Sequence, residues 1–232
     1  MSIAPVELLR FDTDAELVQR FIERLCKQLS QAIAERGEAY LVVSGGRTPI
    51  KLFSELSQQP LDWARVTITL ADERWVAADD AASNECLVRM HLLQHRAAAA
   101  KFVSLLDSTV GAAASARSAE SKLAQLPTFD VVILGLGEDG HTASLFPCSA
   151  ELETGLTTKT AALVVTPTTA PHQRISMSLR RLLDSRQIYF HLSGAAKADV
   201  LARALKDTNH LAMPVRAVLQ QTQVPVSVLL AG

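Results

Sequence analysis

No apolar run in this chain approaches the length of about 18 residues that a membrane-crossing helix needs. The first ten residues, Met1 to Arg10, lack the basic start and long apolar core of a secretory leader. Both absences point to a cytoplasmic protein. Charge of either sign is also not in excess: the net charge of −1 sets up no global field towards nucleic acid or an anionic membrane. Any anion site must therefore be built locally. Cysteine is sparse, and Cys26, Cys86 and Cys148 are odd in number and unclustered. That excludes a disulfide framework or zinc knuckle and fits a reducing compartment, with Cys148 read as a bystander. His91 and His95 fall at His-x-x-x-His spacing but read as surface residues of a helical, polar stretch, and no Cys/His spacing accompanies them, so no metal site is expected. There is no repeat of fixed period and no Pro/Ser/Gly linker long enough to divide the chain.

What is present is an ordinary globular composition. In 232 residues, 48% are hydrophobic and 20% charged, enough to bury a large core and unlike a disordered chain. Leu17, Phe21, Leu25 and Leu29 recur every four residues beside Val18, Ile22 and Ile33, which predicts one apolar helical face. The run Asp12-Thr13-Asp14 supplies a cap before it and Gly37 a stop after it. Apolar runs at 6–11, 40–43, 66–70, 102–106, 131–134, 162–165, 187–191 and 226–230 read as strands alternating with helices. Continuous apolar strands of this kind imply a largely parallel sheet with helices on both faces. The expected organisation is one α/β domain spanning 1–232.

The densest chemistry follows the run Val131–Leu134, in Gly135-Leu-Gly-Glu-Asp-Gly-His-Thr-Ala-Ser-Leu-Phe-Pro147. Ligands of open α/β sheets bind outside the carboxyl ends of the strands. Glycines there let the backbone turn sharply, and they carry Asp139 and His141, a group suited to proton transfer near neutral pH. The spacing Gly135-x-Gly137-x-x-Gly140 matches a dinucleotide fingerprint, but that motif needs a full helix after the loop, and Pro147 ends any helix within about two turns. Nicotinamide binding is therefore set aside.

Three further strand ends carry polar clusters. Ser44-Gly-Gly-Arg-Thr-Pro49 leads into a helix-like stretch, an arrangement whose free N–H groups suit phosphate. A plain strand–helix turn that needs glycine explains it equally well. Asp72-Glu-Arg74 follows the strand at 66–70; its arginine can hold a phosphate bidentately, or the three can pair as a structural ion network. Ser83 or Asn84 reads as the cap of a helix at 85–93. Lys197, in Gly194-Ala-Ala-Lys, opens a helix after another strand, and Arg174 follows Pro171-His-Gln. Taken singly, each cation would be a solvated surface group. His91, His95 and His210 read as surface residues, with His172 and His191 as minor candidates. Coincidence explains one such cluster easily and all of them poorly.

These motifs resemble the glucosamine-6-phosphate isomerase/6-phosphogluconolactonase family along essentially the whole chain. The resemblance rests on Ser-Gly-Gly-Arg-Thr-Pro at 44–49, Asp-Glu-Arg-Trp-Val at 72–76, Ser-Asn-Glu at 83–85 and the stretch at 135–147. Pro171-x-x-Arg174-Ile and Gly194-x-x-Lys197 complete it. It implies a Rossmann-like sheet similar to that of glucosamine-6-phosphate deaminase, ribose-5-phosphate isomerase and coenzyme A transferases. The deaminase branch carries a glutamate five residues after the histidine, where this chain has Phe146, and Asp-Glu-Tyr where it has Asp72-Glu-Arg74. Both departures favour the lactonase branch.

That branch implies hydrolysis of 6-phospho-D-glucono-1,5-lactone to 6-phosphogluconate, in the oxidative pentose phosphate pathway, with no cofactor or metal. His141 becomes the expected general base and Asp139 the group that orients it. Ser44, Gly45, Gly46, Arg47, Thr48, Asp72, Arg74, Gly137, Arg174 and Lys197 become the expected substrate- and phosphate-binding set. The expected partner is the small-molecule substrate alone, without nucleic acid or membrane, acting on a monomer or weak homodimer. Two rival readings are a deaminase or isomerase acting on another phosphosugar, and a non-catalytic sugar-phosphate sensor. No helix-turn-helix segment or basic extension favours the second.

Overall fold

The computed structural model describes residues 6–107 and 109–232. Residues 1–5, half of the segment read as carrying no leader, and residue 108 lie outside the described residues. In chain order the first half runs β1 (Glu7–Phe11), α1 (Asp14–Arg36), β2 (Ala39–Val43), α2 (Pro49–Leu56), β3 (Val66–Leu70), β4 (Asp72–Arg74), α3 (Asn84–His91), β5 (Lys101–Val103) and α4 (Ala112–Leu123). The second half runs β6 (Val131–Leu134), α5 (Leu152–Thr157), β7 (Ala162–Val165), β8 (Arg174–Met177), α6 (Leu179–Leu183), β9 (Ile188–Ser193), α7 (Ala195–Ala204), α8 (Val215–Leu219) and β10 (Val226–Ala231).

Helix α1 forms as its apolar spacing predicts. Thr13 caps it, its hydroxyl accepting from the Glu16 N–H at 3.1 Å, and Gly37 stops it in a left-handed conformation, its N–H reaching the Ile33 carbonyl. Leu17, Phe21, Leu25 and Leu29 are fully buried. Burial of each contributes about 1.5–3 kcal/mol before the entropy of ordering is charged.

Seven strands pair in the order β1-β10-β9-β6-β2-β3-β5, all parallel. Every residue of β3, β6 and β10 is buried, so both faces of the sheet are covered, as parallel sheets require. From β2 the chain moves outwards to β3 and β5; from β6 it moves the other way, to β9 and β10. Neighbouring strands β2 and β6 thus send their connections in opposite directions, which opens a crevice at their carboxyl ends.

The second sheet corrects the sequence reading. β4, β8 and β7 form a three-stranded antiparallel sheet in the order β4-β8-β7. The run at 162–165 is indeed a strand, but it belongs here and not to the parallel sheet. Asp72–Arg74 is not a loop after a strand but a strand of its own, and Arg174 begins its partner rather than lying in a loop. The chain passes from β3 into β4 through Ala71 alone. Its N–H still bonds to Val43 of the main sheet, while its carbonyl accepts from Met177 of the small one. The strand expected at 102–106 is shorter, because Ser104 turns the chain, its hydroxyl bonded to both the N–H and the carbonyl of Leu106.

Candidate active site

The loops leaving β2 and β6 border one cleft of about 570 Å³, closed on a further side by the β4–β8 pair and the start of α7. Every residue of the expected catalytic and substrate-binding set lines it: Ser44, Gly45, Gly46, Arg47, Thr48, Asp72, Arg74, Gly137, Asp139, His141, Arg174 and Lys197. No helix follows the β6 loop. After Gly140 the chain makes a short Thr142–Leu145 bridge and continues to Pro147, so the geometry for a dinucleotide is missing.

Within that loop the glycines are forced by contacts. A Cβ on Gly137 would sit 2.1 Å from His141 Nδ1, and one on Gly140, whose φ is +83°, would sit 2.8 Å from Met213 Cβ. The close approach places His141 Nδ1 2.5 Å from Asp139 Oδ1, and the same carboxylate oxygen also accepts from the His141 backbone N–H at 3.1 Å. Burial pushes the Asp139 pKa up, but the hydrogen bond and the positive charge available on His141 outweigh it, and the net shift is downwards. Asp139 is therefore an ionised acceptor near neutral pH. It selects the tautomer with the proton on Nδ1 and leaves Nε2 as the free ring nitrogen. The imidazole stacks on Phe146, with ring centroids 4.0 Å apart at 29°.

The small sheet supplies the opposite wall. Antiparallel register sets Arg74 directly across from Arg174 and Asp72 across from Ser176. Period-two alternation then separates the three residues of β4. Asp72 and Arg74 line the cleft, while Glu73 turns away and is fully buried. Its carboxylate accepts from the backbone N–H groups of Arg74, Asn84 and Glu85 and from the Ser83 hydroxyl, at 2.6–3.0 Å. Burial raises the Glu73 pKa, and those four bonds oppose the rise. Glu73 is thus an anchor for the start of α3, bonded to the backbone of Arg74 and not to its guanidinium. The Arg74 guanidinium instead donates to the Ala82 carbonyl. Asp72 receives the Ser144 hydroxyl at 2.5 Å, which ties the β6 loop to this wall. Arg174 is buried, lies with its guanidinium 5.9 Å from the Phe146 ring centre, and has its pKa lowered by burial and then by the charge of Arg74.

Two helix N-termini complete the enclosure. Thr48 precedes α2 and makes no side-chain cap bond, and Gly194 precedes α7 with a φ of +89° and likewise no side-chain cap. Lys197 lies in the first turn of α7. Both ends present backbone N–H groups and a positive dipole end at the carboxyl edge of the sheet, next to cations.

A family model for glucosamine-6-phosphate isomerases/6-phosphogluconolactonase matches residues 12–227. The chain belongs to this family. A 6-phosphogluconolactonase of Pseudomonas putida is 43% identical over 198 residues, covering 84% of this chain and 81% of the relative. That of Pseudomonas aeruginosa is 39% identical, with 94% and 92% covered. The crystal structure of a 6-phosphogluconolactonase from Shewanella baltica is 51% identical, spans 100% of both chains and superposes with a TM-score of 0.97. These likenesses put the chain among the family's enzymes on the lactonase branch, as Phe146 and Arg74 lead one to expect, and its sheet is the one that branch shares.

Family membership does not assign side-chain roles, and three lining residues stand out by geometry alone. Of the two residues expected to cap α3, Ser83 does so, its hydroxyl accepting from the Cys86 N–H. The Asn84 amide instead donates to the Asp72 carbonyl at 2.8 Å and packs so close to Gly45 that a Cβ there would lie 1.9 Å from its Oδ1. Phe146 was read only for the acid it replaces. His191, a minor candidate, lines the floor; burial lowers its pKa to about 4, so it is neutral. Among the described residues, buried side-chain atoms without a protein partner gather here: Ser44 Oγ, Arg74 Nε, Asn84 Oδ1, Arg174 Nε and His191 Nδ1. Folded proteins rarely leave such atoms unpaired except at functional sites. His172 is exposed and away from the cleft lining, as are His95 and His210; Cys148 is half-buried and also outside that lining.

Proposed function

We propose that the protein hydrolyses 6-phospho-D-glucono-1,5-lactone to 6-phosphogluconate, with His141 as the general base. One observation carries this reading: a His–Asp pair at 2.5 Å shares its cleft with a glycine loop and four cations, Arg47, Arg74, Arg174 and Lys197. Ester hydrolysis needs one proton shuttle and a place for the substrate's charge. Both are present.

In this scheme the phosphate rests on N–H groups of the loop around Gly45, Gly46 and Thr48, with Arg74 and Lys197 as its principal cations. Binding of that remote charge orients the lactone ring so that its carbonyl carbon faces His141. Nε2 of His141 removes a proton from water as the oxygen attacks, and the carbonyl becomes a tetrahedral oxyanion. Its stabilisation is assigned to N–H groups of the Gly135–Gly140 turn other than those of Gly137 and Gly140, which are bonded to the His141 and Gly137 carbonyls. Collapse of the intermediate breaks the bond to the ring oxygen, which takes the proton back from His141. Asp139 stays ionised throughout, holding the tautomer and stabilising the transient imidazolium. The whole chain acts as one domain in this reading, since the cleft takes residues from both sheets.

The direct test generates the lactone in situ and follows its loss, with spontaneous hydrolysis subtracted and His141→Ala run beside the wild type. Acceleration by the wild type alone supports both activity and base. Acceleration by both variants would move the base elsewhere. Acceleration by neither would end the lactonase reading, and ammonia release from glucosamine 6-phosphate would then be assayed.

A further inference from the structure

We infer that Phe146 is a positioning residue: its ring fixes the plane of the His141 imidazole so that Nε2 faces the water that attacks the lactone. This deepens the proposed function and rests on it for the kinetic part.

An imidazole turns about two side-chain torsions. The Asp139–Nδ1 hydrogen bond holds one point of the ring but leaves rotation about the axis through that contact. A flat partner removes the remaining freedom. Phe146 is that partner, at 4.0 Å and 29° from the imidazole. Offset aromatic stacking of this kind contributes specific geometry beyond simple burial.

The phenyl ring is itself immobilised. It is 5% exposed, and its own face carries the Arg174 guanidinium 5.9 Å from the ring centre. Two residues earlier, Ser144 donates to Asp72 at 2.5 Å, and its N–H reaches Ser176 Oγ at 3.2 Å. The segment from His141 to Phe146 is therefore pinned to β4 and β8 at its centre, with the two stacked rings at either side of the pin. Orientation of the base is set by the small antiparallel sheet and passed to it through one aromatic ring. Tight positioning matters because a base displaced by even an ångström loses much of its advantage.

The test compares wild type with Phe146→Leu, Phe146→Tyr and Phe146→Trp. Nitrogen-15 NMR of the histidine side chains reads the His141 tautomer and ring-proton shifts without reference to turnover. In the wild type, the stacked phenyl should displace the His141 ring protons upfield, with one tautomer populated. Phe146→Leu should abolish that displacement while Asp139 keeps the tautomer, and both aromatic variants should restore it. In lactone kinetics, Phe146→Leu should lower kcat about tenfold with KM within twofold, and Phe146→Tyr should recover most of kcat; thermal melting checks that each variant is folded. Unchanged His141 ring-proton shifts in Phe146→Leu, or an unchanged kcat, overturn the inference. So does a loss shared equally by kcat and KM that no aromatic restores. If the wild type fails to open the lactone while the NMR contrast holds, the functional reading falls and the positioning role survives.

Discussion

The two glycine loops of the cleft look alike in sequence and behave differently. The loop after β2 runs directly into α2. Its Arg47 and Thr48 are exposed, Thr48 makes no side-chain cap bond, and the loop's residues line the cleft. The loop after β6 enters no helix; it folds back on itself, with the Gly137 N–H bonded to the His141 carbonyl, and is tied across the cleft to Asp72. In the first, Gly45 makes room for the Asn84 amide, while Gly46, at a φ of +98°, has open space where a Cβ would stand. In the second, Gly137 makes room for the imidazole of His141. The same residue type seats an amide behind the loop in one place and a titratable ring in the other.

The comparison breaks most directly at His141. His141→Ala should lower kcat about 10²–10⁴-fold while KM stays within a few-fold, since the phosphate contacts are on other elements; steady-state lactone kinetics measure both. Next come the glycines themselves. Gly137→Ala forces a methyl group onto the imidazole and should cost about 10²-fold in kcat. Gly45→Ala drives Asn84 aside and should act on KM, by roughly tenfold, through the anion loop. If the two substitutions gave the same kinetic signature, the division of labour between the loops would be wrong.

Arg74→Ala removes one cation of the anion site and should raise KM about tenfold with a smaller effect on kcat. Wild-type KM and kcat would refute the phosphate contact. The smallest effect belongs to the floor below both loops. His191 is buried, with a pKa lowered to about 4, against about 6.5 in an unfolded chain. Between those values the unfolded state binds more protons, so stability falls as pH drops through the window; nearby Asp14 softens the penalty only partly. Urea unfolding at pH 7.5 and 5 should show His191→Gln losing about 2 kcal/mol less than wild type over that interval. Equal losses would mean that His191 is not held neutral.

Much of the site was legible because it sits where strands end. The motif at 44–49, the turn at 135–141 and Lys197 each follow a recognisable apolar run, so sequence alone brought them to one edge of a sheet. The small sheet was not legible. Asp72-Glu-Arg74 and Arg174-Ile-Ser-Met177 are short and charged, with little local preference for strand. They are strands because each finds the other, and the pairing of Asp72 with Ser176 is invisible to any local window. The contacts of Asn84 and Phe146 were missed for a related reason. A cap and an aromatic on a loop have sound local explanations, and only the contacts with Gly45 and His141 reveal the rest.

The single residue that joins β3 to β4 carries a consequence for how the protein assembles. Long-range pairing is needed in both sheets: β1 meets β10 about 220 residues further on, β2 meets β6 about ninety, and β4 meets β8 about a hundred. Closing such loops is entropically costly and slow. Because Ala71 is bonded to both sheets at once, neither can settle far ahead of the other, so turnover in refolding should return together with the last of the far-ultraviolet signal.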